Sequence, residues 1–528
     1  MTALDFGSSL LCRIEGEVVE GRTGHRLGGK KLQSAVAACA KTFRGLAEQS
    51  EGPILLALEL TLESVTAYLG ALASGRTVVP IDSKEWRHKG IELIELLQPA
   101  ICWFPARMKL AMPIRFDCLQ IVRGTEDAWN ADFRGDVPSL EISPSDGDKL
   151  VSQARVMIPT SGSTGKPSLV RVTDLNLFSN TSDIITSQGL LSQDKALLCL
   201  PLNYCFGASV LHSHLWVGGS VVVDDRLMFP EKVLNVIESE GCTTFAGVPT
   251  SFLFLHSYST VLTRNFSKLR LWLQAGGYLA ASVVHAFRTA HPETAFVVMY
   301  GQTEATARIT SFTVDGDYPR GCVGYPMASL QVEIRAENGE ASKPGCEGDV
   351  WIRGASVCAG YFSDPEREAE KFVNGWLNTG DVGYLLEDGR LCITGRSDGF
   401  IKIRGRRVSS LEIEDIVWKA FSVRSCACAV PHQASGEVIG LYLECFPRGI
   451  NTGQNQRSGA GHRCSEAGLA DAKGLVDAEW AERIRRALPQ HWDLGPVMCG
   501  ELPFTSSGKI NRRACSCLLT KAGEGLCQ

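Results

Sequence analysis

The sequence predicts an α/β protein with a large N-terminal domain of α/β sheet lobes, a small antiparallel or barrel-like section, and a small, mobile α+β C-terminal domain. Over residues 30–300, short apolar runs alternate with helical apolar patterns, which is typical of a largely parallel sheet. From residue 324 onwards, short alternating segments are separated by Asn-Gly, Asp-Gly and Pro-Gly turns, which favours antiparallel strands. A Gly-Arg-Ser-Asp-Gly break at 395–399 then precedes a compact tail. Because 528 residues exceed one hydrophobic core, we expect domains over 1–396 and 397–528.

The individual elements follow from the spacing of apolar residues. Residues 30–48 repeat apolar side chains at helical spacing, whereas residues 53–60 form an apolar run short enough for a buried strand. We expect two helices in the tail, and a mobile surface insertion at the polar, aperiodic residues 449–473. The same criteria predict helices at 65–73 and 210–216, and strand segments at 77–81, 100–104, 196–201, 220–223, 295–299, 331–335, 348–353 and 383–394.

The composition argues against several function classes. A net charge of −5 without a Lys/Arg stripe disfavours a nucleic-acid partner. The N-terminus lacks a basic segment followed by an apolar one, and no apolar run reaches the roughly 18 residues of a membrane span. The 19 cysteines include no Cys-x-x-Cys pair or zinc-type spacing, so we expect reduced thiols. These features predict a cytoplasmic protein.

A loop rich in glycine and hydroxyl groups is the first candidate site. Residues 158–167 read IPTSGSTGKP between two apolar runs. Glycines let backbone N–H groups approach phosphate oxygens, the hydroxyls add donors, and the lysine supplies a mobile charge. It is not a Walker loop, because Pro167 follows the lysine and residues 169–172 continue as a strand, although an ordinary hairpin turn has a similar composition. The candidate phosphate-binding residues are Thr160, Ser161, Gly162, Ser163, Thr164, Gly165 and Lys166.

A second candidate follows the predicted strand at 295–299, where the chain reads YGQTE. Ligands of α/β sheets bind at the carboxyl ends of strands, so Glu304 could hold Mg²⁺ against the same phosphates. Thr303 offers a hydroxyl beside it, and Tyr300 offers a ring face for a purine. Alternatively, this segment is a strand-end turn with a solvated glutamate.

Three more polar residues are candidates. Asp381 follows a glycine turn and could accept two hydrogen bonds from a ribose diol, although an Asx-type turn also accounts for Thr-Gly-Asp. Arg396 could reach the same sugar or an α-phosphate, or could be a surface arginine. Lys509 lies on a glycine-bearing loop and could be a second cation brought in by domain motion, or an exposed lysine.

Together, and in this order, the segments resemble the adenylate-forming superfamily, which includes acyl-CoA synthetases, stand-alone adenylation domains and firefly-type luciferases. The resemblance covers essentially the whole chain. It rests on TSGSTGKP at 160–167, YGQTE at 300–304, GDVWIRG and GY within 348–361, TGD at 379–381, GRSDGFIKIRG at 395–405 and TSSGK at 505–509.

The resemblance implies that ATP activates a small carboxylic acid as an acyl-adenylate with release of pyrophosphate, followed by transfer to a thiol. The thiol would be that of coenzyme A or of a phosphopantetheine arm. Lys509, Thr303 and Glu304 would be catalytic, with Mg²⁺ held by Glu304, and catalysis would consist mainly of positioning and cationic stabilisation. The further ATP-binding residues that the resemblance implies are Gly276, Gly277, Tyr278, Tyr300, Gly301, Gln302, Asp381 and Arg396.

The resemblance also implies that the C-terminal domain rotates between the two half-reactions. Asp398 matches the family's hinge position, and Lys402 and Gly405 match the segment that lines the thiol tunnel. Rotation would withdraw Lys509 and bring the tunnel segment to the site.

Residues 201–207 match the segment beside the acyl pocket. Tyr204 stands where many acyl-CoA synthetases have histidine, and Cys205 and its neighbours lack the aspartate that amino-acid-activating domains use for the substrate ammonium. Because an unpaired buried ammonium is costly, an α-amino acid substrate is disfavoured. The candidate pocket residues are Tyr204, Phe206, Gly207, Ala305 and Thr306.

Three alternatives stay open. A stand-alone adenylation enzyme would load a non-amino acid onto an acyl or peptidyl carrier protein, and a luciferase-like oxygenase would use the same scaffold. A non-catalytic nucleotide-binding homologue is disfavoured by the presence of Lys509 and Glu304. The short segment 311–324 has no room for the insertion typical of fatty acyl-AMP ligases, which favours thioester formation.

Overall fold

The computed structural model describes twelve segments of the chain, and the expected insertion at 449–473 lies outside them. The described residues are 5–47, 50–108, 120–123, 154–160, 168–316, 318–397, 399–403, 406–421, 423–432, 436–444, 475–505 and 510–524.

The described elements alternate between strand and helix over the first 300 residues, as predicted. The strands are β1 (Glu17–Glu20), β2 (Arg26–Gly28), β3 (Ile54–Leu58), β4 (Val78–Asp82), β5 (Ile101–Phe104), β6 (Gln120–Arg123), β7 (Val156–Thr160), β8 (Ser168–Val172), β9 (Lys195–Leu198), β10 (Ser220–Val223), β11 (Thr244–Gly247), β12 (Leu271–Gln274), β13 (Ala295–Tyr300), β14 (Thr310–Thr313), β15 (Cys322–Pro326), β16 (Leu330–Arg335), β17 (Gly348–Gly354), β18 (Tyr361–Phe362), β19 (Phe372–Val373), β20 (Trp376–Leu385), β21 (Leu391–Arg396), β22 (Phe400–Ile403), β23 (Arg406–Ser409), β24 (Ser425–His432), β25 (Gly436–Glu444) and β26 (Leu494–Gly500). The α-helices are α1 (Phe6–Leu11), α2 (Gly29–Leu46), α3 (Leu62–Ala73), α4 (Ile91–Leu97), α5 (Asp174–Gln188), α6 (Cys205–Trp216), α7 (Pro230–Ser239), α8 (Pro249–Tyr258), α9 (Ala281–Ala290), α10 (Pro365–Lys371), α11 (Ser410–Phe421), α12 (Ala478–Ala487) and α13 (Arg512–Glu524).

The largest sheet joins a parallel part to an antiparallel part. Its fourteen described strands follow the order β16-β17-β20-β21-β15-β14-β13-β12-β11-β9-β10-β1-β2, with β19 beside β20. Neighbours from β1 to β13 are parallel, and neighbours from β13 to β16 are antiparallel. The antiparallel section predicted after residue 324 is confirmed, and hydrogen bonds between β14 and β15 make it a continuation of the parallel sheet.

The second sheet carries the predicted phosphate loop. Its described order is β18-β8-β7-β4-β3-β5-β6, and β3 pairs in parallel with both β4 and β5. Residues 54–58 are buried on both faces, which explains the uninterrupted apolar run in the sequence. β7 and β8 form an antiparallel hairpin at the other side of the sheet.

The tail contains a separate five-stranded sheet in the order β23-β22-β25-β24, with β26 parallel to β25. Three described helices accompany it, α11, α12 and α13, although the sequence predicted only two. Helix α13 fully buries only Cys515 and Leu519, so its apolar stripe is too narrow to stand out. Trp480, Ile413 and Leu441 lie in the core of this part.

Two further findings bear on the expectations from composition. Among the described residues, the structure contains no helix that combines the length and the apolar character needed to cross a membrane. Cys499 is disulfide-bonded, which corrects the expectation of uniformly reduced thiols, whereas fourteen other described cysteines form no disulfide.

Candidate active site

The predicted phosphate loop connects the two strands of the β7–β8 hairpin. Thr160 and Ser168 face each other where the described strands end, and the Thr160 hydroxyl donates a hydrogen bond of 3.1 Å to the Ser168 carbonyl. The loop residues Ser161, Gly162, Ser163, Thr164, Gly165 and Lys166 lie outside the described residues. The chain continues as β8 after the loop, in agreement with the prediction that this is not a Walker loop, whose lysine opens a helix.

Glu304 lies directly after β13, in the short 3₁₀ turn Thr303–Ala305. It is only 8% exposed, so the alternative of a solvated strand-end glutamate is wrong. Gly301 leads into this turn, and a Cβ atom at this position would lie 1.7 Å from the carbonyl oxygen of Ala307. The tight backbone approach therefore requires glycine.

Two side chains hold one oxygen of the Glu304 carboxylate. The Tyr361 hydroxyl donates to Oε1 at 2.7 Å, and Arg367 Nη2 lies 3.7 Å from the same atom, with its guanidinium 4.4 Å from the centre of the Tyr361 ring. Burial, reinforced by the Glu304 carboxylate, raises the pKa of Tyr361 far above its ordinary value, so the hydroxyl remains a donor. Because β18 pairs with β8, Tyr361 connects Glu304 to the phosphate-loop hairpin.

The structure brings together three predicted nucleotide-binding residues, one from β13 and two from the neighbouring strands β20 and β21. The Tyr300 hydroxyl donates to Asp381 Oδ2 at 2.5 Å, and Arg396 Nη1 lies 3.3 Å from Asp381 Oδ1. Asp381 and Arg396 are directly opposite each other on β20 and β21. Burial is the main reason that the pKa of Tyr300 lies well above its ordinary value, and the Asp381 carboxylate raises it further.

The Gly-Gly-Tyr segment after β12 contacts the tail. Gly276 has a φ of +92°, which favours glycine, and Gln274 Nε2 donates to the Gly277 carbonyl at 2.9 Å. The Tyr278 hydroxyl donates to Asp415 Oδ1 on α11 at 2.9 Å. The hydroxyl of this predicted ATP-binding residue is thus used for a contact between the main body and the tail.

The predicted acyl-pocket segment forms the start of α6, immediately after Tyr204. Cys205 Sγ lies 3.7 Å from the Thr303 hydroxyl, which joins this segment to the YGQTE motif. Gly207 allows the helix to pack closely, because a Cβ there would lie 2.2 Å from the Pro201 carbonyl oxygen. This contact brings together two segments whose residues the sequence analysis assigned to one candidate pocket.

The remaining predicted pocket residues differ in their surroundings. Phe206 lies under the guanidinium of Arg308, 4.1 Å from the ring centre. Ala305 is fully buried in the main core, and the Thr306 hydroxyl donates to the Ser356 carbonyl at 2.7 Å. Ala305 is thus a core residue, whereas Thr306 also lines a small cavity.

The tail residues of the predicted site are only partly described. Lys402 lies on β22 with an exposed side chain, and its backbone N–H donates to Glu437 at 2.7 Å. Asp398, Gly405 and Lys509 lie outside the described residues, so their predicted roles rest on the sequence motifs alone.

The described donor set fits a nucleotide and Mg²⁺. Gln302 Nε2 and Gln274 Oε1 are buried without a hydrogen-bond partner among the described residues, and a ligand that reaches them would remove a cost of roughly 1–3 kcal/mol each. No described side chain hydrogen-bonds Oε2 of Glu304. Mg²⁺ is commonly held by one or two carboxylates together with substrate phosphates, so a single glutamate suffices.

Comparison with known proteins identifies the family. A family model described as "AMP-binding enzyme" matches residues 15–362, about two thirds of the chain. The chain belongs to the AMP-binding enzyme family. The match includes the phosphate-loop hairpin and the YGQTE motif, in agreement with the resemblance inferred from the sequence motifs.

Several curated AMP-binding enzymes resemble the chain. Surfactin synthase subunit 2 of Bacillus subtilis is 26% identical over 93% of this chain but only 13% of its own length. Acyl-CoA ligase SID4 of Ajellomyces capsulatus is 30% identical over 67% of this chain and 59% of its own. The chain thus spans less than two thirds of these relatives. D-alanine–D-alanyl carrier protein ligase of Listeria monocytogenes is 27% identical over 93% of this chain and 94% of its own.

Solved structures confirm the fold. ATP-bound MatB from Rhodopseudomonas palustris superimposes with a TM-score of 0.77 at 18% identity, over 98% of this chain and 99% of that chain. The o-succinylbenzoate CoA synthetase from Bacillus subtilis, in complex with its acyl-adenylate intermediate, gives a TM-score of 0.76 at 20% identity, over 96% and 97% of the two chains.

Four residues of the site were not predicted from the sequence: Tyr361, Arg367, Arg308 and Asp415. Tyr361 belongs to a quoted motif, but its contact with Glu304 spans 57 positions and depends on strand pairing. Arg308 carried the clearest signal, because it is the single charge within residues 305–314, which read ATARITSFTV.

Proposed function

We propose that the chain catalyses ATP-dependent activation of a carboxylic acid and transfers the acyl group to a thiol. A carboxylate oxygen attacks the α-phosphorus of ATP, the bond to the bridging oxygen breaks, and pyrophosphate leaves. The thiol sulfur then attacks the acyl carbon, the bond to AMP breaks, and AMP leaves as the thiol loses its proton. The second step is favourable because AMP is a far better leaving group than oxide.

The observation that carries the proposal is the cluster formed by Tyr300, Asp381 and Arg396, together with the burial of Glu304. A carboxylate fixed by a phenol and a guanidinium offers two oriented acceptor oxygens to a ribose diol. Glu304 lies four residues after Tyr300, in the turn that follows β13. Its carboxylate would hold Mg²⁺, and the metal would neutralise phosphate charge there. Membership of the AMP-binding enzyme family supports the same chemistry.

Lys509 is proposed as the catalytic cation of the first step, with residues 397–528 as the mobile domain that carries it. Asp398 would be its hinge, and Lys402 and Gly405 would line the thiol tunnel. We expect Lys509→Ala to abolish adenylate formation while sparing thioester formation from a supplied acyl-adenylate, with the exposed Lys521→Ala as the matched control. Asp398→Pro should slow the second step more than the first. Equal loss of both half-reactions in Lys509→Ala would contradict its role.

Acid-dependent exchange of pyrophosphate into ATP tests the proposal directly. A panel of aliphatic and aryl carboxylic acids is assayed first, and the positive acids are then assayed with coenzyme A and with a phosphopantetheinylated carrier protein. Exchange that requires an acid supports activation, whereas its absence with every acid would refute the proposal and favour a non-catalytic nucleotide binder.

Transfer to a carrier protein is the second candidate for the final step. Its support is the D-alanine–D-alanyl carrier protein ligase, a relative that matches nearly end to end. Preferential loading of the carrier protein over coenzyme A in the second assay would establish this acceptor.

A further inference from the structure

Arg308 is a charged residue inside the protein, on the connection between β13 and β14. It is 2% exposed, and its backbone is fixed by Asn180, whose side-chain N–H donates to the Arg308 carbonyl at 2.9 Å and whose side-chain oxygen accepts from the Arg308 N–H at 3.3 Å. The side chain lies between Phe206, under the guanidinium, and Met299, whose sulfur is 3.2 Å from Nε. Helix α5 thus holds the residue in a defined position.

No described carboxylate lies within 4.0 Å of Arg308. Other largely buried arginines of the chain are paired: Arg171 with Glu368 at 3.2 Å, and Arg155 with Asp174 at 2.8 Å. Of the five N–H bonds on Arg308, only the one at Nε has a partner among the described residues, and that partner is a weak sulfur acceptor. Burial lowers the pKa of Arg308 to about 10, so the group is still a cation at neutral pH.

The position of this cation is next to the predicted acyl segment. Phe206 is the second residue of α6, and Cys205 before it lies 3.7 Å from the Thr303 hydroxyl of the YGQTE motif. A small cavity between α5 and α6, with room for about one water molecule, is lined by Asn180, Cys205 and Thr306 among others. Through its contact with Phe206, Arg308 therefore adjoins the segment that the resemblance assigns to the acyl pocket.

We propose that Arg308 selects a carboxylic acid that carries a second carboxylate, a dicarboxylic acid, and holds the carboxylate that is not activated. This inference rests on the proposed function and names its substrate class. The planar guanidinium offers two parallel N–H donors to a carboxylate, and the pair would be fully desolvated. A monocarboxylic acid of the same length, whose far end is uncharged, would leave the cation buried and unpaired, and sites of this kind discriminate strongly against analogues that lack the partner group.

A purely packing role for Arg308 is the competing explanation, because the contact with Phe206 is itself favourable. The two explanations predict different effects of replacing Arg308. If Arg308 only packs, Arg308→Met changes stability and not the choice of acid. If it binds the second carboxylate, the same replacement reverses that choice.

The test uses pairs of acids matched in size: succinate with butyrate, glutarate with valerate, and terephthalate with 4-methylbenzoate. Acid-dependent pyrophosphate exchange is measured for the wild type, Arg308→Met, Arg308→Lys, and the exposed Arg486→Met as the control. We expect wild-type kcat/KM to favour the diacid of the preferred size by roughly 10- to 100-fold. Arg308→Met should favour the monoacid with an unchanged KM for ATP, and Arg308→Lys should keep a weaker diacid preference.

Binding of acylsulfamoyl adenosines, which mimic the acyl-adenylate and cannot react, gives a readout on the wild type alone. Calorimetry should show tighter binding of the analogue with a terminal carboxylate than of the analogue with a terminal methyl, by a similar factor. This comparison of the two analogues tests the dicarboxylate inference even if Arg308→Met fails to fold.

The outcomes separate the two proposals. Exchange that favours monoacids in the wild type, or an unchanged acid ratio in a folded Arg308→Met, overturns the dicarboxylate inference and leaves acid activation standing. Absence of exchange with every acid refutes the proposed function, and equal binding of the two analogues then overturns the inference as well.

Discussion

At the residue scale, the Tyr300 hydroxyl orients the Asp381 carboxylate. Its hydrogen bond to Oδ2 leaves the opposite oxygen to Arg396, so the carboxylate cannot rotate freely. A carboxylate that is already fixed loses less conformational entropy when it binds a diol, which is the physical reason for this arrangement at a sugar site.

Tyr300→Phe therefore tests the ribose role of Asp381. We expect the KM for ATP to rise about tenfold, because a hydrogen bond to a charged group contributes roughly 1.5–3 kcal/mol. The measurement is pyrophosphate exchange against ATP concentration, and the exposed Tyr325→Phe serves as the control. An unchanged KM in a folded variant would argue against this role.

The role of the Glu304 carboxylate can also be tested by a single substitution. Glu304→Gln removes the charge but keeps an oxygen that accepts from Tyr361, so folding should be preserved. We expect the Mg²⁺ concentration for half-maximal exchange to rise at least about tenfold, because a neutral amide is a poor ligand for a hard cation. Glu370→Gln on α10 is the control, and an unaltered Mg²⁺ requirement would show that Glu304 does not hold the metal.

At the scale of elements, the turn after β13 is set by backbone contacts. Thr306 and Ala307 have φ values of 60° and 139°, conformations that cost about 1–3 kcal/mol each and persist only where the surroundings impose them. The Gly301 Cα lies against the Ala307 carbonyl and closes the turn. The orientation of Glu304 therefore depends on a glycine three residues before it.

Gly301→Ala should displace the turn and with it Glu304. A Cβ would meet the Ala307 carbonyl oxygen at 1.7 Å, so the backbone must move, and a shift of about 1 Å at a reacting centre can lower the rate roughly 100-fold. We expect such a loss in kcat/KM with a retained circular dichroism spectrum. Gly45→Ala on α2, where a Cβ meets nothing within 4 Å, is the control and should be neutral.

At the scale of the whole molecule, α11 connects the tail to the main body through Tyr278, Asp415 and Trp418. The Trp418 indole N–H donates to Ser282 at 3.2 Å, in addition to the bond from Tyr278 to Asp415. Asp415 also pairs with Lys419 at 2.7 Å, so loss of Tyr278 would not leave its charge unpaired. Arg320 adds an ion pair with Glu412 at 3.6 Å, and the Trp418 side chain packs against an apolar core of the main body, so the contact has both polar and apolar parts.

Tyr278→Phe should loosen this interface without unfolding either part. We expect faster proteolytic cleavage within residues 397–409 and a change of less than about 1 kcal/mol in the free energy of unfolding, because one hydrogen bond contributes about that much. Limited proteolysis and chemical denaturation measure the two effects, again with Tyr325→Phe as the control. Cleavage at the wild-type rate would contradict the proposed role of Tyr278 in holding the tail.

Two buried histidines of the main body make the stability of the fold depend on pH. Burial lowers the pKa of His212 to about 3 and that of His214 to about 4, against an ordinary value of 6.5. Both are neutral when folded, and His212 Nε2 lies 3.1 Å from the Tyr68 hydroxyl. Between pH 6.5 and 4 the unfolded state therefore binds more protons than the folded state, so stability present above pH 6.5 is lost as the pH falls.

We expect each of these histidines to contribute up to about 1.4 kcal/mol of lost stability per pH unit in this range. His212→Gln should reduce the slope of unfolding free energy against pH, and the exposed His25→Gln should not. Urea denaturation between pH 7 and pH 5 measures it, and identical slopes in wild type and His212→Gln would contradict the assignment.

The sequence by itself determined the α/β rhythm, the antiparallel section and the order of the motifs, because apolar periodicity and glycine turns are local properties. It also placed Tyr300, Asp381 and Arg396 in one site, although only through the resemblance. It failed at α13, whose apolar stripe is narrow, and at Cys499, since a disulfide requires proximity.

Only the tertiary structure decided which charges are paired. The structure shows contacts between residues far apart in sequence: Tyr361 holds Glu304, and Tyr278 reaches Asp415. It also shows that Arg308, which lies over the Phe206 ring, has no carboxylate partner among the described residues. The cost of a buried charge depends on what lies within a few ångströms of it, and no local pattern records that distance. For this reason the family could be inferred from motifs, whereas the argument for the substrate class had to come from the packed interior.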